Sequence, residues 1–396
     1  MSNKPQFVGE RETVKLSEIA KIKAGNVAPK KDAFTEDGIP FVRAGSLTNL
    51  LAGGSLADLE KIDGGTAQKL RLTLFPAGTV VFAKSGMSCM TGNVYVLPKP
   101  CYVVSHLACV IPNGNYASYL KHYFRFNRPN RLIENPSFPS IKLSKIQGIK
   151  LKLPSPEKGV RQVQALERIE SQIGQAKALL TYLDSLVKSR FVEMFGDPVL
   201  NPKGWSAQKL KTLGELKNGV NFKSVDNGFE IKCLGVSDFK DRYAIKDMSL
   251  VSDVSLNGEP NANQLLQDGD VVFVRSNGNK ALVGRCLAIF PGEEKVTFSG
   301  FCIRFRSTSE ELELNYLLNC LKTDSMRKAM TGRGANIQNL SQSLLSKLEV
   351  PLPPLELQQE FASFAAQVDK SRFVAQQQIE KLQLLYDSLA QEYFGD

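Results

Sequence analysis

The sequence predicts an α+β protein made twice over. Two globular parts with mostly β cores, related by a pseudo-two-fold internal repeat, are joined by two long helices forming an antiparallel coiled coil. Three observations lead there. The phrase Phe195-Gly196-Asp197 recurs at the C-terminus as Phe394-Gly395-Asp396, an offset of 199 residues. The same ungapped offset carries Leu153-Pro154 onto Leu352-Pro353 and Glu157 onto Glu356. Ahead of each phrase apolar residues recur in steps of three and four, whereas further upstream they form short runs bounded by turn residues. A repeat of this length sets the architecture before any single residue is interpreted.

The globular parts carry the repeat in order, with loops of unequal length. Leu16-Ser17-Glu18-Ile19 through Gly25 matches Leu210-Lys211-Thr212-Leu213 through Gly219. Gly78-Thr79-Val80-Val81-Phe82-Ala83-Lys84-Ser85 matches Gly269-Asp270-Val271-Val272-Phe273-Val274-Arg275-Ser276. A chain of 396 residues exceeds one ordinary hydrophobic core, and duplication explains its division. Residues 79–82, 101–104, 107–111, 271–274, 286–290 and 301–305 are rich in β-branched, aromatic and Cys residues and read as strands. Residues 116–126 and 314–330 read as helical.

Each globular part ends at prolines that open a helix. Leu153-Pro154-Ser155-Pro156-Glu157 and Leu352-Pro353-Pro354-Leu355-Glu356 place proline before the first turn and an acid within it. The first seam runs Leu166, Ile169, Ile173, Ala176, Leu180, Leu183, Val187; the second runs Val368, Ala375, Ile379, Leu382, Tyr386, Leu389. Arg190 and Arg372 interrupt the two frames. A seam sustained over four heptads is the pattern of a coiled coil, on the order of 58 Å long at about 1.5 Å per residue. Two helices with one seam, separated by a globular part, pair most simply antiparallel; a coiled coil between two chains is the alternative.

Charge narrows the partners. Residues 1–150 hold 20 Lys+Arg against 10 Asp+Glu, and residues 200–352 hold 20 against 17. The helical segments are near neutral or acidic, so a polyanion is expected on the globular parts and protein on the helices. Seven scattered cysteines without a Cys-x-x-Cys read as reduced, buried thiols. No apolar run is long enough to span a membrane and the N-terminus lacks a leader's apolar stretch, so a cytoplasmic chain with no membrane contact is expected. The sequence has no phosphate loop ending in Gly-Lys-Ser/Thr. Its two histidines, His106 and His122, occupy non-equivalent places in one copy, against a metal or catalytic role. Asn135-Pro136-Ser137-Phe138 is similar to the adenine-methyltransferase pocket motif but lacks its second proline, and reads as a loop.

Polar turns straight after a buried strand are the candidate contacts for a polyanion. In the first copy they hold Lys84, Ser85 and Ser88, and in the second Arg275, Ser276, Asn277, Asn279 and Lys280. A second segment precedes each helix: residues 135–142, with Lys142, and residues 331–339, with Arg333, Asn336 and Gln338. Arg43 joins them as a cation of the first globular part. Arg, Lys, Asn and Ser bond base edges and phosphates, and the glycines among them let backbone approach a duplex. Solvated hairpin loops have similar composition.

The Met194-Phe195-Gly196-Asp197-Pro198 exit, the Asn201-Pro202-Lys203-Gly204-Trp205 opening and the Val350-Pro351-Leu352-Pro353-Pro354-Leu355-Glu356-Leu357-Gln358-Gln359 helix start resemble the specificity subunit of a type I restriction-modification system, across essentially the whole chain. The first copy departs from the pattern, reading Glu157-Lys158-Gly159-Val160-Arg161-Gln162 without a double glutamine. The resemblance implies target recognition domains at 1–153 and 198–352 and spacer helices at 154–197 and 353–396. Each domain would read one half of a bipartite site in double-stranded DNA. The helices would set the spacing and dock two methyltransferase subunits, with restriction/translocase subunits joining. It implies no catalytic centre and no cofactor in this chain, S-adenosylmethionine belonging to the partner methyltransferase. A coiled-coil protein-binding scaffold, a type IIG-like specificity module and a self-contained enzyme are the alternatives.

Overall fold

The computed structural model describes residues 11–222, 228–239, 242–331 and 339–395, with the side chains of Arg11 and Lys280 left aside. Two compact units divide the chain: Met1–Ala176 with Gln377–Asp396, and Lys177–Gln376. Each unit joins one globular part to segments of both long helices.

Unit 1 is built on a four-stranded antiparallel sheet in the order Ala20–Ala24, Leu107–Pro112, Val80–Ala83, Val94–Val96. Val80, Val81 and Phe82 are wholly buried, as the unbroken apolar run requires. A second sheet orders Lys61–Ile62, Ile39–Val42 and Tyr102–Val103. Unit 2 repeats the first plan as Gly214–Asn218, Cys302–Ser307, Asp270–Val274, Cys286–Ile289, and adds Ala244–Ile245 in parallel at the edge. In both units a two-stranded ribbon ties the start of the globular part to its end: Arg11–Lys15 with Lys150–Pro154, and Ala207–Lys209 with Glu349–Pro351.

Glycines shared by the copies sit where backbone leaves no alternative. A Cβ on Gly25 would lie 2.3 Å from the Val103 carbonyl oxygen, and one on Gly219 2.1 Å from that of Ser299. Gly78 and Gly269 turn into the central strands with φ of 82° and 85°, in the left-handed region glycine adopts freely. All seven cysteines are free and buried, as expected from their scatter.

The helices run Pro156–Phe195 and Leu355–Phe394, each of 40 residues. No helix among the described residues is long and apolar enough to cross a membrane. In unit 2, Arg190 meets Glu360 at 3.0 Å and Asp184 meets Arg372. The first helix's numbers fall as the second's rise, so the segments run antiparallel. The two arginines that interrupt the sequence seam are therefore its ion pairs. In unit 1, Leu166, Ile169 and Ile173 share one core with Tyr386, Ala390 and Phe394, and Ile379, Leu382 and Leu389 pack against it. In unit 2, Val187, Phe191 and Phe195 share one with Phe361, Ala365 and Val368, with Leu183 beside them; Leu180 is half-buried.

Two features differ from the sequence reading. The helical stretch 314–330 is two helices, Leu314–Lys322 and Asp324–Thr331, because Thr323 adopts an extended conformation and its hydroxyl donates to the Cys320 carbonyl at 2.8 Å. The buried helix faces are also wider than the seam, since Phe191, Ala390 and Phe394 pack on the globular parts rather than only on the partner helix.

Candidate nucleic-acid interface

In both units the two polar segments singled out by composition are hydrogen-bonded to each other. In unit 1 Ile141 N donates to the Lys84 carbonyl at 2.7 Å, Gly86 N donates to the Pro139 carbonyl at 3.1 Å, and Ser85 bridges Ser140. In unit 2 Leu340 N donates to the Arg275 carbonyl at 2.7 Å and Ser276 bridges Asn339. The strand before each turn is fully buried, so the turn leaves the sheet from a fixed base and the second segment braces it. Gly86, with φ of 78°, makes the reversal that lets Met87–Thr91 form a short helix carrying Ser88.

A third segment completes each site. Lys84 N donates to the His106 carbonyl at 2.9 Å, and Arg275 N donates to the Phe301 carbonyl at 2.8 Å. The Ser85 hydroxyl also lies 2.8 Å from His106 Nδ1. His106, set aside on sequence grounds as a catalytic or metal residue, is thus a structural member of the first site. Neither His106 nor Phe301 carries a composition or spacing signal that points to the turn; only strand pairing delivers them.

The individual side chains divide into free-standing and engaged groups. Lys142 is exposed ahead of the short helix Leu143–Gln147, and Lys84, Ser85 and Ser88 are half-buried at the turn. Arg275 is half-buried and its Nη1 lies 3.4 Å from the Gly300 carbonyl. Asn277 Oδ1 accepts from Asn279 N at 2.8 Å and Asn279 Oδ1 from Ala281 N at 3.1 Å, so both amides stiffen the turn that presents them. Arg43 is engaged elsewhere: its Nε pairs with Glu60 at 2.6 Å and its guanidinium lies over Phe34 at 5.1 Å. The backbone of Lys280 opens a short helix, its side chain being outside the description, and Arg333, Asn336 and Gln338 lie outside the described residues.

The junction motifs have a structural explanation. At the end of the first helix the last four carbonyls, which a helix leaves unpaired, all find donors. Val192 O accepts from Gly196 N at 2.8 Å, Glu193 O and Met194 O from Lys203 Nζ at 2.7 and 2.9 Å, and Phe195 O from Trp205 Nε1 at 3.1 Å. The Gly196 and Asn201-Pro202-Lys203-Gly204-Trp205 motif is therefore one helix cap. At the second start, fully buried Gln358 accepts from Glu313 N at 3.0 Å and donates to the Glu311 and Pro353 carbonyls at 2.9 and 2.8 Å. Its counterpart in the repeat is Gly159.

Each repeated phenylalanine packs on a tyrosine of its own unit. Phe394 meets Tyr119 edge-on at 5.3 Å, and Phe195 meets Tyr316 at 4.7 Å. Tyr119 donates to the Lys152 carbonyl at 3.2 Å and Tyr316 to the Pro351 carbonyl at 2.8 Å, so the contact is repeated with its anchor. In unit 1 wholly buried His122 Nδ1 also lies 2.8 Å from the Tyr386 hydroxyl. Burial, with Lys121 and Arg125 adding to it and Glu167 opposing, pushes the His122 imidazole down to about 3. It is neutral at pH 7, so Glu170, 3.7 Å away, pairs instead with Lys121 and Arg125.

Comparison with known proteins agrees with this duplicated plan. The chain is 27% identical over 187 residues to the putative type I restriction enzyme MjaX specificity subunit of Methanocaldococcus jannaschii, covering 46% of this chain and 43% of that one. It is 22% identical over 407 residues to the type I restriction enzyme StySPI specificity subunit of Salmonella potsdam, covering 96% and 86%. The crystal structure of the type I restriction-modification system S subunit from M. genitalium shares the fold at a TM-score of 0.55 and 12% identity, over 98% of this chain and 96% of that one. The family model for the type I restriction modification DNA specificity domain matches residues 9–181 and again 202–384. The chain therefore belongs to the family of type I restriction modification DNA specificity domains and carries that domain twice.

Proposed function

We propose that the chain is the DNA specificity subunit of a type I restriction-modification complex, a recognition subunit without catalysis of its own, acting in the cytoplasm. Residues 1–153 and 198–352 serve as target recognition domains, each reading one half of a bipartite site, and residues 154–197 and 353–396 as spacer helices. The observation that carries this reading is the repeated site: one framework of strand, turn and bracing segment, with different side chains on it in each unit. Identical frameworks suit a shared task, and different side chains suit different half-sites. The turn holding Lys84, Ser85 and Ser88 with Lys142 meets one half-site; the turn holding Arg275, Ser276, Asn277, Asn279 and Lys280 meets the other, and Arg43 adds to the contacts of the first and Arg333, Asn336 and Gln338 to those of the second.

Each helix leaves an apolar side chain uncovered. Tyr182 is 73% exposed and Leu384 70% exposed, a surface suited to two methyltransferase subunits that hold S-adenosylmethionine themselves. Restriction/translocase subunits complete the assembly. Mapping methylated adenines in the host genome with the gene present and deleted tests the reading. A bipartite motif that disappears with the gene is expected; an unchanged methylome would refute it.

A further inference from the structure

Each unit holds one exposed phenylalanine against its turn, and the two are not equivalents in the repeat. In unit 1 it is Phe138, 79% exposed. Asn135 turns the chain beneath it, Oδ1 accepting from Ser137 N at 3.0 Å and the carbonyl from Phe138 N at 3.2 Å. Buried Pro139 follows, and its carbonyl holds Gly86 of the turn. In unit 2 it is Phe301, 62% exposed, whose own carbonyl holds Arg275. Ser299 Oγ accepts from Phe301 N at 3.3 Å, and wholly buried Cys302 follows.

Single exposed apolar residues are ordinary on protein surfaces. These two differ in that the backbone on either side is pinned, so little chain entropy is lost when the ring meets a partner. Each also lies on a segment that is hydrogen-bonded to a cation-bearing turn: the segment that follows Phe138 reaches Lys84 through Ile141 N, and Phe301 reaches Arg275 through its own carbonyl. A partner with a polyanionic exterior and an interior of stacked aromatic faces satisfies both features at once, and that partner is duplex DNA.

We propose that Phe138 and Phe301 are wedges, each ring entering a base step of its own half-site and partly unstacking it. This rests on the reading of the turns as DNA contacts. Pyrimidine–purine steps unstack most readily, so the ease of opening that step becomes part of what each unit reads. The wedges reach the duplex from different segments, one from the loop before the helix and one from the turn between two strands.

The test uses the full chain with its methyltransferase partners, on duplexes carrying the mapped site with 2-aminopurine at successive positions. Fluorescence should rise on binding at one position in each half-site other than the methyl-accepting adenine. Phe138→Ala should abolish one rise and weaken binding about 10-fold, the loss of one aromatic–base stack, while leaving the other rise intact. Phe301→Ala should do the reverse, and Phe138→Trp and Phe301→Trp should keep both. Each alanine variant is the folding control for the other. The wedge is overturned, with the turns still standing as DNA contacts, if Lys84→Ala and Arg275→Ala weaken their half-sites while both phenylalanine variants bind and fluoresce as the native chain does. If none of the four changes alters either half-site, the reading of the turns fails and the wedges with it. Loss of the methyltransferase subunits from a phenylalanine variant, with DNA binding intact, assigns that ring to a protein contact and also overturns the proposal.

Discussion

Arg275 and Asn277 differ in what they can tell a duplex. A guanidinium or amide bonded to a base edge discriminates sequence, whereas the same group on a phosphate does not. Arg275→Ala or Asn277→Ala is expected to cost about 1–3 kcal/mol on one half-site only, measured by competition between duplexes altered in one half at a time. Equal loss on every duplex would mark a phosphate contact. His122 makes a prediction of another kind. Its imidazole is held at about 3, below its ordinary value of 6.5, so between those two values the unfolded chain binds a proton that the native chain refuses. Stability is complete above pH 6.5 and falls as pH drops, at up to about 1.4 kcal/mol per pH unit. Going from pH 7 to pH 5 should therefore cost the native chain about 2 kcal/mol more than His122→Phe, read from denaturant unfolding at both pH values. Lys121, Arg125, Glu167, Glu170 and Tyr386 surround the group, and an equal loss in both proteins would shift the acid sensitivity to them. Arg275 and Asn277 were legible in the sequence as members of a polar turn after a buried strand, but the His122 effect was not: His122 has no motif, and its contact with Tyr386 joins segments far apart in the chain.

At the scale of elements, the helix ends hold their geometry through side chains borrowed from the next segment. Gln358 fills three backbone partners from a fully buried position, so Gln358→Ala should lower stability by about 2–3 kcal/mol, because buried carbonyls and an N–H lose their partner. Thermal unfolding measures it, and a loss under about 0.5 kcal/mol, the range of an ordinary surface change, would deny Gln358 that role. The sequence marked the double glutamine as a motif but not which glutamine acts, because Glu311 and Glu313 stand 45 or more residues away. Strand positions were legible because the buried runs are dense in β-branched, aromatic and Cys residues, with Arg304 a buried exception within 301–305. The break at Thr323 was not, since a threonine inside an amphipathic run gives no warning of an extended backbone.

The whole chain divides its charge unevenly, and binding should report it. Counterion release makes the salt dependence follow the number of phosphates met. Lys84→Ala with Lys142→Ala should reduce the slope of log K against log salt by about 2, roughly one per cation removed. An unchanged slope would place both lysines away from phosphate. The spacer helices offer a second measurement. Deleting one heptad within Ile169–Val187 together with the matching heptad within Val368–Tyr386 preserves the seam and shortens it by about 10 Å. The interval tolerated between half-sites should shorten in the mapped methylation motif, and an unaltered interval would end the idea that the helices act as a ruler.

The sequence by itself determined the duplication, the helix starts and stops, the central strands and the two polar segments of each globular part. All of these are local, written in periodicity, proline and glycine placement, and offset. Tertiary structure alone decided that the two polar segments of each part brace one another, that His106 and Phe301 complete the sites, and that Arg190 and Arg372 are ion pairs rather than flaws in a seam. It also decided what the repeated phenylalanine does: Phe394 seats on Tyr119 and Phe195 on Tyr316, each pair far apart in the sequence. Contacts of that separation depend on which strands pair and which helix faces meet. No local pattern encodes them.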